Sequence, residues 1–155
     1  AKWRGRNVGV VFQFFQLLPT LTVLENVMLP MRYCKTYKGK RKERAMEMLE
    51  LVQVPETANK YPAQISGGQQ QCAAIARAMV NNPELIVGDE PTGNLDPISG
   101  GLVFKLFEEL VSQGKTIIVV THDRDLAGRI PRVEEVRDGL LMASGEVDSR
   151  LVTGS

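Results

Sequence analysis

The chain is poor in the residue types that build disulfide frameworks and zinc sites. Its 155 residues include only two cysteines, Cys34 and Cys72, which lie far apart and outside any Cys-x-x-Cys pattern, and one histidine, His122. The sequence therefore suggests neither a disulfide framework nor a zinc site, and a reducing cytoplasm fits the cysteine usage best.

Long apolar runs and a strong net charge are also lacking. No stretch approaches the roughly 20 apolar residues of a membrane-spanning helix, and the first ten residues lack the apolar segment of a signal peptide. With 19 Lys plus Arg and 18 Asp plus Glu, the net charge of +1 gives no indication of a nucleic-acid partner. The basic run 35–45 could suggest RNA or anionic lipid, but we interpret it as a solvated loop and helix start.

Short β-branched runs alternate with longer helical patterns, which predicts an α/β fold. The runs 7–12, 84–89 and 115–121 each contain a continuous apolar stretch, as is typical of buried strands in a parallel sheet. Helical spacing is found at 23–32, 40–54 and 67–82, with breaks predicted at Pro30, Pro55 and Pro62. An amphipathic crossover helix is predicted to end at Gly114, and two short strands at 132–147 are predicted to join through Asp138-Gly139.

Two adjacent carboxylates, Asp89 and Glu90, follow the second predicted strand. Ligands of open parallel sheets gather at the carboxyl ends of the strands. Neighbouring residues on an extended chain point to opposite sides, so we expect different tasks for the two acids. Asp89 could hold a hydrated magnesium ion, and Glu90 could deprotonate an attacking water. Taken alone, the pair is more often a turn that ends a strand.

The stretch Ser66-Gly67-Gly68 precedes a strongly predicted helix. Ser66 is a favourable N-cap, and the glycines expose backbone N–H groups at the positive end of the helix dipole, where an anion would bind. A capped helix with a flexible entry would show the same pattern.

Five motifs in order resemble the nucleotide-binding domain of ABC transporters, over nearly the whole chain. They are Gln13 in "VVFQ", "ISGGQ" at 65–69, "ELIVGDEP" at 84–91, "GNLD" at 93–96 and "VTHD" at 120–123. They match the Q-loop, signature, Walker B, D-loop and switch-histidine motifs. "LLPTLTVLENVMLP" and "DEPTGNLD" are similar to the subfamily that drives lipoprotein release and macrolide export.

The resemblance implies a RecA-like P-loop NTPase core, made here of residues 1–13 and 83–155, with an inserted helical subdomain at 14–82. It also implies ATP and Mg²⁺ as ligands, a second ABC domain as a dimer partner, and a transmembrane permease. The chain would then work in the cytoplasm, on the inner face of the cell membrane.

The family also implies a role for each matching residue. Gln13 would contact the metal, Asp89 would bind magnesium through water, Glu90 would be the general base, and His122 would touch the γ-phosphate. The remaining residues would bind nucleotide or organise the dimer: Ser66, Gly67, Gly68, Gln69, Asn94, Leu95 and Asp96.

Two features depart from the family. The chain contains no Gly-x-x-x-x-Gly-Lys-[Ser/Thr] loop, because the nearest match at Gly114 to Thr116 has Glu109 in place of the first glycine and enters a strand. Cys72 stands where the family usually has arginine, and we interpret it as a small residue on a helical stripe with Ile75, Ala76 and Met79.

We therefore expect an ATP-hydrolysing subunit that powers transport and is inactive as this chain alone, since Walker A is lacking. One alternative is a non-catalytic remnant that acts as an interaction or regulatory module. Another is a soluble ABC protein of DNA repair or translation, although tandem domains or long insertions, which are usual in those proteins, are not seen.

On its own, the 155-residue chain is expected to bind ATP weakly and to hydrolyse essentially none, because the loop amides and lysine that hold the β-phosphate are lacking. Isothermal titration with Mg-ATP would compare it with a chain extended upstream through a lysine loop. Micromolar binding with turnover by the short chain would contradict the expectation.

Overall fold

The structure, a computed structural model, describes residues 2–142. The chain divides into two compact units, Ala1–Thr121 and His122–Ser155. Helices and strands alternate in the first unit in the following order: α1 Lys2–Asn7, β1 Val8–Phe12, α2 Val23–Cys34, α3 Arg41–Leu51, α4 Gly67–Met79, β2 Leu85–Asp89, α5 Pro97–Ser112 and β3 Thr116–Val120. Two short 3-10 helices, Pro55–Thr57 and Pro62–Gln64, lie between α3 and α4.

The three strands form a parallel sheet in the order β1-β2-β3. All three lie where the sequence predicts strands, and α5 is the predicted crossover between β2 and β3. The register aligns Phe12 with Asp89 and Asp89 with Val120, so the three strands end side by side. Gly114, at φ +91°, ends the crossover as predicted.

Most of the core of this unit comes from helices. Val11 and Ile86 contribute from the sheet, and fully buried side chains of α2, α4 and α5 pack around them, among them Val23, Val27, Met31, Ile75 and Leu110. The run 35–45 is largely exposed and includes the start of α3, as interpreted from the sequence.

The predicted break at Pro30 is wrong, because Pro30 lies inside α2. A proline within a helix loses one backbone hydrogen bond and costs about 3 kcal/mol. The apolar stripe of α2 nevertheless continues past it, since Val23, Val27, Met31 and Cys34 are all buried at helical spacing. Packing of this stripe against the core offsets the lost bond.

Gly9 lets α4 lie directly on β1. A Cβ at position 9 would come within 2.5 Å of the Ala78 carbonyl oxygen and 3.1 Å of its carbonyl carbon. Because the obstacle is helix backbone, a larger residue would have to push α4 away from the sheet.

The second unit contains α6 Arg124–Ala127 and an antiparallel pair, β4 Val136–Arg137 and β5 Leu140–Leu141. The predicted turn at Asp138-Gly139 is confirmed, with φ of 51° and 79°. The part of the predicted hairpin after residue 142 lies outside the described residues.

The sequence analysis did not anticipate the short helices α1 and α6. The division into a core and a helical subdomain at 14–82 stays a prediction. Across residues 2–142, no helix is both long enough and apolar enough to cross a membrane.

Replacing Gly9 by alanine should lower the free energy of unfolding by about 1–3 kcal/mol, the usual cost of overpacking a rigid interior. Gly101→Ala is the matched control, because Gly101 lies inside α5 and a Cβ there meets nothing within 4 Å. That control should raise stability by about 0.5–1 kcal/mol. Urea unfolding measures both, and equal effects of the two substitutions would contradict the close approach of α4 and β1.

Candidate functional site

The carboxyl ends of β1 and β2 bring together Gln13, which follows β1, and Asp89 and Glu90, which end and follow β2. The Glu90 N–H donates to the Val120 carbonyl over 2.8 Å. The Thr121 hydroxyl donates to Glu90 Oε2 over 3.0 Å, which fixes one carboxylate oxygen. The predicted position of the acid pair at this sheet edge is therefore confirmed.

Glu90 does not continue the extended strand. Its φ of 45° is left-handed, a conformation that costs a residue with a side chain roughly 1–2 kcal/mol. The chain then turns back, and the Gly93 N–H donates to the Glu90 carbonyl over 3.0 Å. The expectation that the chain stays extended through Glu90 is therefore wrong, and different tasks for Asp89 and Glu90 stay a prediction.

Gln13 lies against the turn that carries Glu90. Asn94 Nδ2 donates to the Gln13 carbonyl over 3.2 Å. A Cβ at position 93 would lie 2.9 Å from Gln13 Nε2 and 3.5 Å from Glu90 Cβ. Glycine at position 93 thus allows Gln13 and Glu90 to share a small space.

The oxygen donors at this edge suit a hard cation such as Mg²⁺. Asp89 is an exposed carboxylate at the end of β2, and Gln13 supplies an amide. Within residues 2–142, no three His, Cys, Asp or Glu residues cluster as a metal cage. A site with so few protein ligands is consistent with Mg²⁺, because this ion commonly takes one or two carboxylates and completes its shell with water and substrate phosphate.

The start of α4 is held by a reciprocal capping box. The Ser66 hydroxyl accepts from the Gln69 N–H over 3.2 Å, and Gln69 Oε1 accepts from the Ser66 N–H over 3.1 Å. Gln69 Nε2 also donates to Glu56 Oε1 over 3.2 Å. The predicted N-cap is confirmed, and its contacts fix the direction of the helix N-terminus.

A cleft of about 290 Å³ lies beside this helix start. Polar side chains and backbone from α4 and α5 line part of it, including Ser66, Gly68, Gln69, Ser99 and Lys105. The helix N-terminus and Lys105 favour an anion, whereas the carboxylate of Glu109, which also lines the cleft, opposes one.

The two glycines of the helix start serve different contacts. A Cβ on Gly68 would come within 2.7 Å of Ser99 Oγ and 3.0 Å of Ser99 Cβ, so α4 touches the first turn of α5 there. A Cβ on Gly67 would meet the Phe15 ring at 3.7 Å, which is ordinary contact. Of these two glycines, Gly68 alone is required by packing among the described residues.

Asp96 is the N-cap of α5. It accepts from the backbone of Ile98 and Ser99 over 3.1 and 3.0 Å, and from the Ser99 hydroxyl over 2.6 Å. The Ser99 hydroxyl and backbone bonds lower the pKa of the Asp96 carboxyl. Leu95, beside it, packs against the core.

Cys72 behaves as a packed side chain. It is partly buried against the core, and burial raises the pKa of its thiol to about 11. A thiol that stays protonated at neutral pH is a poor nucleophile. The interpretation of Cys72 as a small apolar residue fits these findings.

His122 follows Thr121 directly and is the first residue of the second unit. Its side chain is exposed, and the next residue, Asp123, caps α6. Its predicted contact with a phosphate stays a prediction.

Three residues near the site were missed by the sequence analysis. Gln71 is fully buried in α4 and its Nε2 donates to the Pro91 carbonyl. Arg77 donates to backbone near Gln13, and Thr121 donates to Glu90. The sequence offered a signal for two of them. Gln71 is a polar residue on an apolar helical stripe, and Thr121 carries a hydroxyl at the end of a predicted strand.

Comparison with known proteins gives one consistent family. The model for "ABC transporter" matches residues 1–93. The ABC transporter ATP-binding protein YvrO of Bacillus subtilis is 49% identical over 92% of this chain and 62% of its own length. The cell division ATP-binding protein FtsE of the same organism is 43% identical over 88% of this chain and 60% of its own length.

The macrolide export ATP-binding/permease protein MacB of Nitrosomonas europaea is also 43% identical, over 94% of this chain and 22% of its own length. A solved structure, described as the dimeric post-hydrolysis state of the ATP-binding cassette MJ0796 bound to ADP and Pi, matches with a TM-score of 0.71 and 45% identity. That match covers 81% of this chain and 56% of the cassette. The chain thus spans about 60% of the length of YvrO and FtsE.

Gly68→Ala should destabilise the folded chain by about 1–3 kcal/mol, because the new methyl group overlaps Ser99. Gly67→Ala is the control, since the Phe15 ring leaves room for a Cβ. Denaturant unfolding of both, together with Gly68→Ala/Ser99→Gly in a double-mutant cycle, should show a coupling of at least about 0.5 kcal/mol. Additive effects at positions 68 and 99 would count against the contact.

Proposed function

Because the chain belongs to the ABC transporter family, we propose that it is part of a subunit that hydrolyses ATP to power a partner permease. The observation that carries this proposal is the grouping of Gln13, Asp89 and Glu90 at one sheet edge, with Thr121 bonded to Glu90. These are the residue types that water-mediated phosphoryl transfer needs.

Glu90 is the proposed general base. The Thr121 hydroxyl holds the Glu90 carboxylate, and the bond from the Gly93 N–H holds the Glu90 backbone. The carboxylate can therefore face an attacking water in one orientation. A positioned carboxylate of this kind typically contributes 10²- to 10⁴-fold to the rate.

Asp89 and Gln13 would hold Mg²⁺ together with the nucleotide phosphates. The bound cation supplies charge neutralisation at the phosphates. Asp89 contributes an exposed carboxylate, and the Asn94 bond and the close approach of Gly93 set the position of Gln13.

A second copy of the domain would complete the nucleotide site from the other side. We propose that Ser66, Gly67, Gly68 and Gln69 meet the γ-phosphate of the nucleotide held by that copy, with Asn94, Leu95 and Asp96 at the seam. The capped N-terminus of α4 supports this assignment. MJ0796, with 45% identity, is described as a dimer bound to ADP and Pi. His122 is proposed to contact the γ-phosphate.

The partner is proposed to be a permease, which would place the protein on the inner face of the cell membrane. Similarity to MacB supports a transport role of the macrolide-export type. FtsE is equally similar in identity, so the transported substrate is left open.

Glu90→Gln in a chain extended upstream through a lysine loop should leave ATP binding intact and slow hydrolysis by roughly 10²- to 10⁴-fold, because the amide cannot accept the proton of the attacking water. Glu84→Gln is the matched control, since Glu84 is an exposed acid just before the opposite end of β2. Steady-state hydrolysis and nucleotide titration measure the two effects, and sedimentation with ATP should show a persistent dimer of the Glu90 variant.

Hydrolysis by Glu90→Gln within a few-fold of wild type would remove Glu90 from this role. An extended chain with Glu90 unchanged that neither binds nor hydrolyses ATP would instead favour the non-catalytic alternative.

A further inference from the structure

The chain that leaves β1 makes an unusual turn directly after Gln13. Phe15 and Gln16 have φ of 54° and 50°, so two successive residues with large side chains are left-handed. Each such residue is disfavoured in an isolated peptide, and glycine usually occupies these positions. The Phe15 N–H donates to the Phe12 carbonyl over 3.3 Å, and the Gln16 N–H donates to the Phe14 carbonyl. Contacts from elsewhere in the fold must stabilise the turn.

Arg77, in the last turn of α4, supplies such contacts. Its NH2 donates to the Phe15 carbonyl over 2.9 Å, and its NH1 donates to the Gln16 carbonyl. One planar guanidinium therefore binds the carbonyls of both left-handed residues, which a lysine with its single ammonium could not reproduce in the same geometry.

The turn and the site residue are adjacent. Gln13 is two residues before Phe15, and its carbonyl and its amide side chain lie against the 93–94 segment that follows Glu90. The other end of α4 is capped by Ser66, and a Cβ on the next residue, Gly67, would lie 3.7 Å from the Phe15 ring. A displacement of α4 would thus be passed through Arg77 to the segment that carries Gln13.

We propose that Arg77 is a positioning residue that couples the orientation of α4 to that of Gln13. This inference deepens the proposed function and rests on it for the role of Gln13 in hydrolysis. The bond between Arg77 and the turn is independent of that role and can be measured without nucleotide turnover.

Arg77→Lys in the chain extended upstream through a lysine loop is the first test, and Arg44→Lys is its matched control. Arg44 is also partly buried and also donates to a backbone carbonyl, that of Val80 over 3.2 Å, but it does not contact the turn. Hydrogen–deuterium exchange of a peptide covering residues 12–18 should become faster in Arg77→Lys and stay at the wild-type rate in Arg44→Lys. Equal exchange in all three proteins, or equal acceleration in both variants, would overturn the proposal.

The kinetic arm tests the coupling to Gln13. Arg77→Lys should lower kcat for ATP about 10- to 100-fold through misplacement of Gln13, while KM for ATP changes less than about twofold. The Mg²⁺ concentration for half-maximal rate should rise in parallel. Faster exchange with unchanged kcat and unchanged Mg²⁺ dependence would make Arg77 a purely structural residue and overturn the positioning role.

Two further variants keep the proposal testable if Arg77→Lys folds poorly. They are the single variant Gln16→Pro and the double variant Arg77→Lys/Gln16→Gly. Proline cannot adopt a positive φ, so Gln16→Pro should reproduce the loss of kcat with Arg77 intact. Glycine adopts the left-handed conformation freely, so the double variant should recover part of the kcat lost in Arg77→Lys. Normal kcat in Gln16→Pro, or no recovery in the double variant, would argue against the proposal. If wild type shows no hydrolysis, the proposed function fails, and the exchange arm still decides whether Arg77 holds the turn.

Discussion

Helix α4 lies so close to β1 that the space under the Ala78 carbonyl admits a hydrogen atom at Gly9 and no methyl group. The helix is also packed from its other sides, because Ala73, Ala74, Ile75 and Ala76 are all fully buried. Small residues on several faces allow this close packing, and close packing leaves little freedom to relax. The direction of α4 is therefore fixed relative to the strand that delivers Gln13.

With its direction fixed, α4 contacts the segments that follow β1 and β2 at the strand-end site, and also the start of α5. Its first turn meets Ser99 at the start of α5, Gln71 donates to the Pro91 carbonyl after Glu90, and Arg77 binds the Phe15–Gln16 turn. Among residues 2–142, Gln71 Oε1 is buried without a hydrogen-bond partner, which costs about 1–3 kcal/mol and is offset in part by the Nε2 bond to Pro91. Contacts of one rigid helix with three loops allow the start of α4 and the strand ends to respond together.

Local sequence patterns predicted the elements that carry the site. Continuous apolar runs identified β1, β2 and β3, and Ser66 identified the start of α4, because these signals depend on residues that are neighbours in the chain. The error at Pro30 has the opposite origin: proline disfavours a helix locally, but the stripe from Val23 to Cys34 gains more by packing than the proline costs. Tertiary burial outweighed propensity there.

The geometry of the site residues could not be predicted in this way. Phe15, Gln16 and Glu90 have left-handed backbone although none of them is glycine. Arg77 binds the carbonyls of Phe15 and Gln16, and Glu90 is hydrogen-bonded to Val120, Thr121 and Gly93. All but the Gly93 bond join residues 30 or more apart in sequence. Strained backbone of this kind persists only where the surrounding structure over-determines it, and it concentrates at functional sites. The same long-range contacts impose the strain and place Gln13 and Glu90. A change that releases one of these strained turns should therefore displace the neighbouring Gln13 or Glu90 side chain before the sheet unfolds.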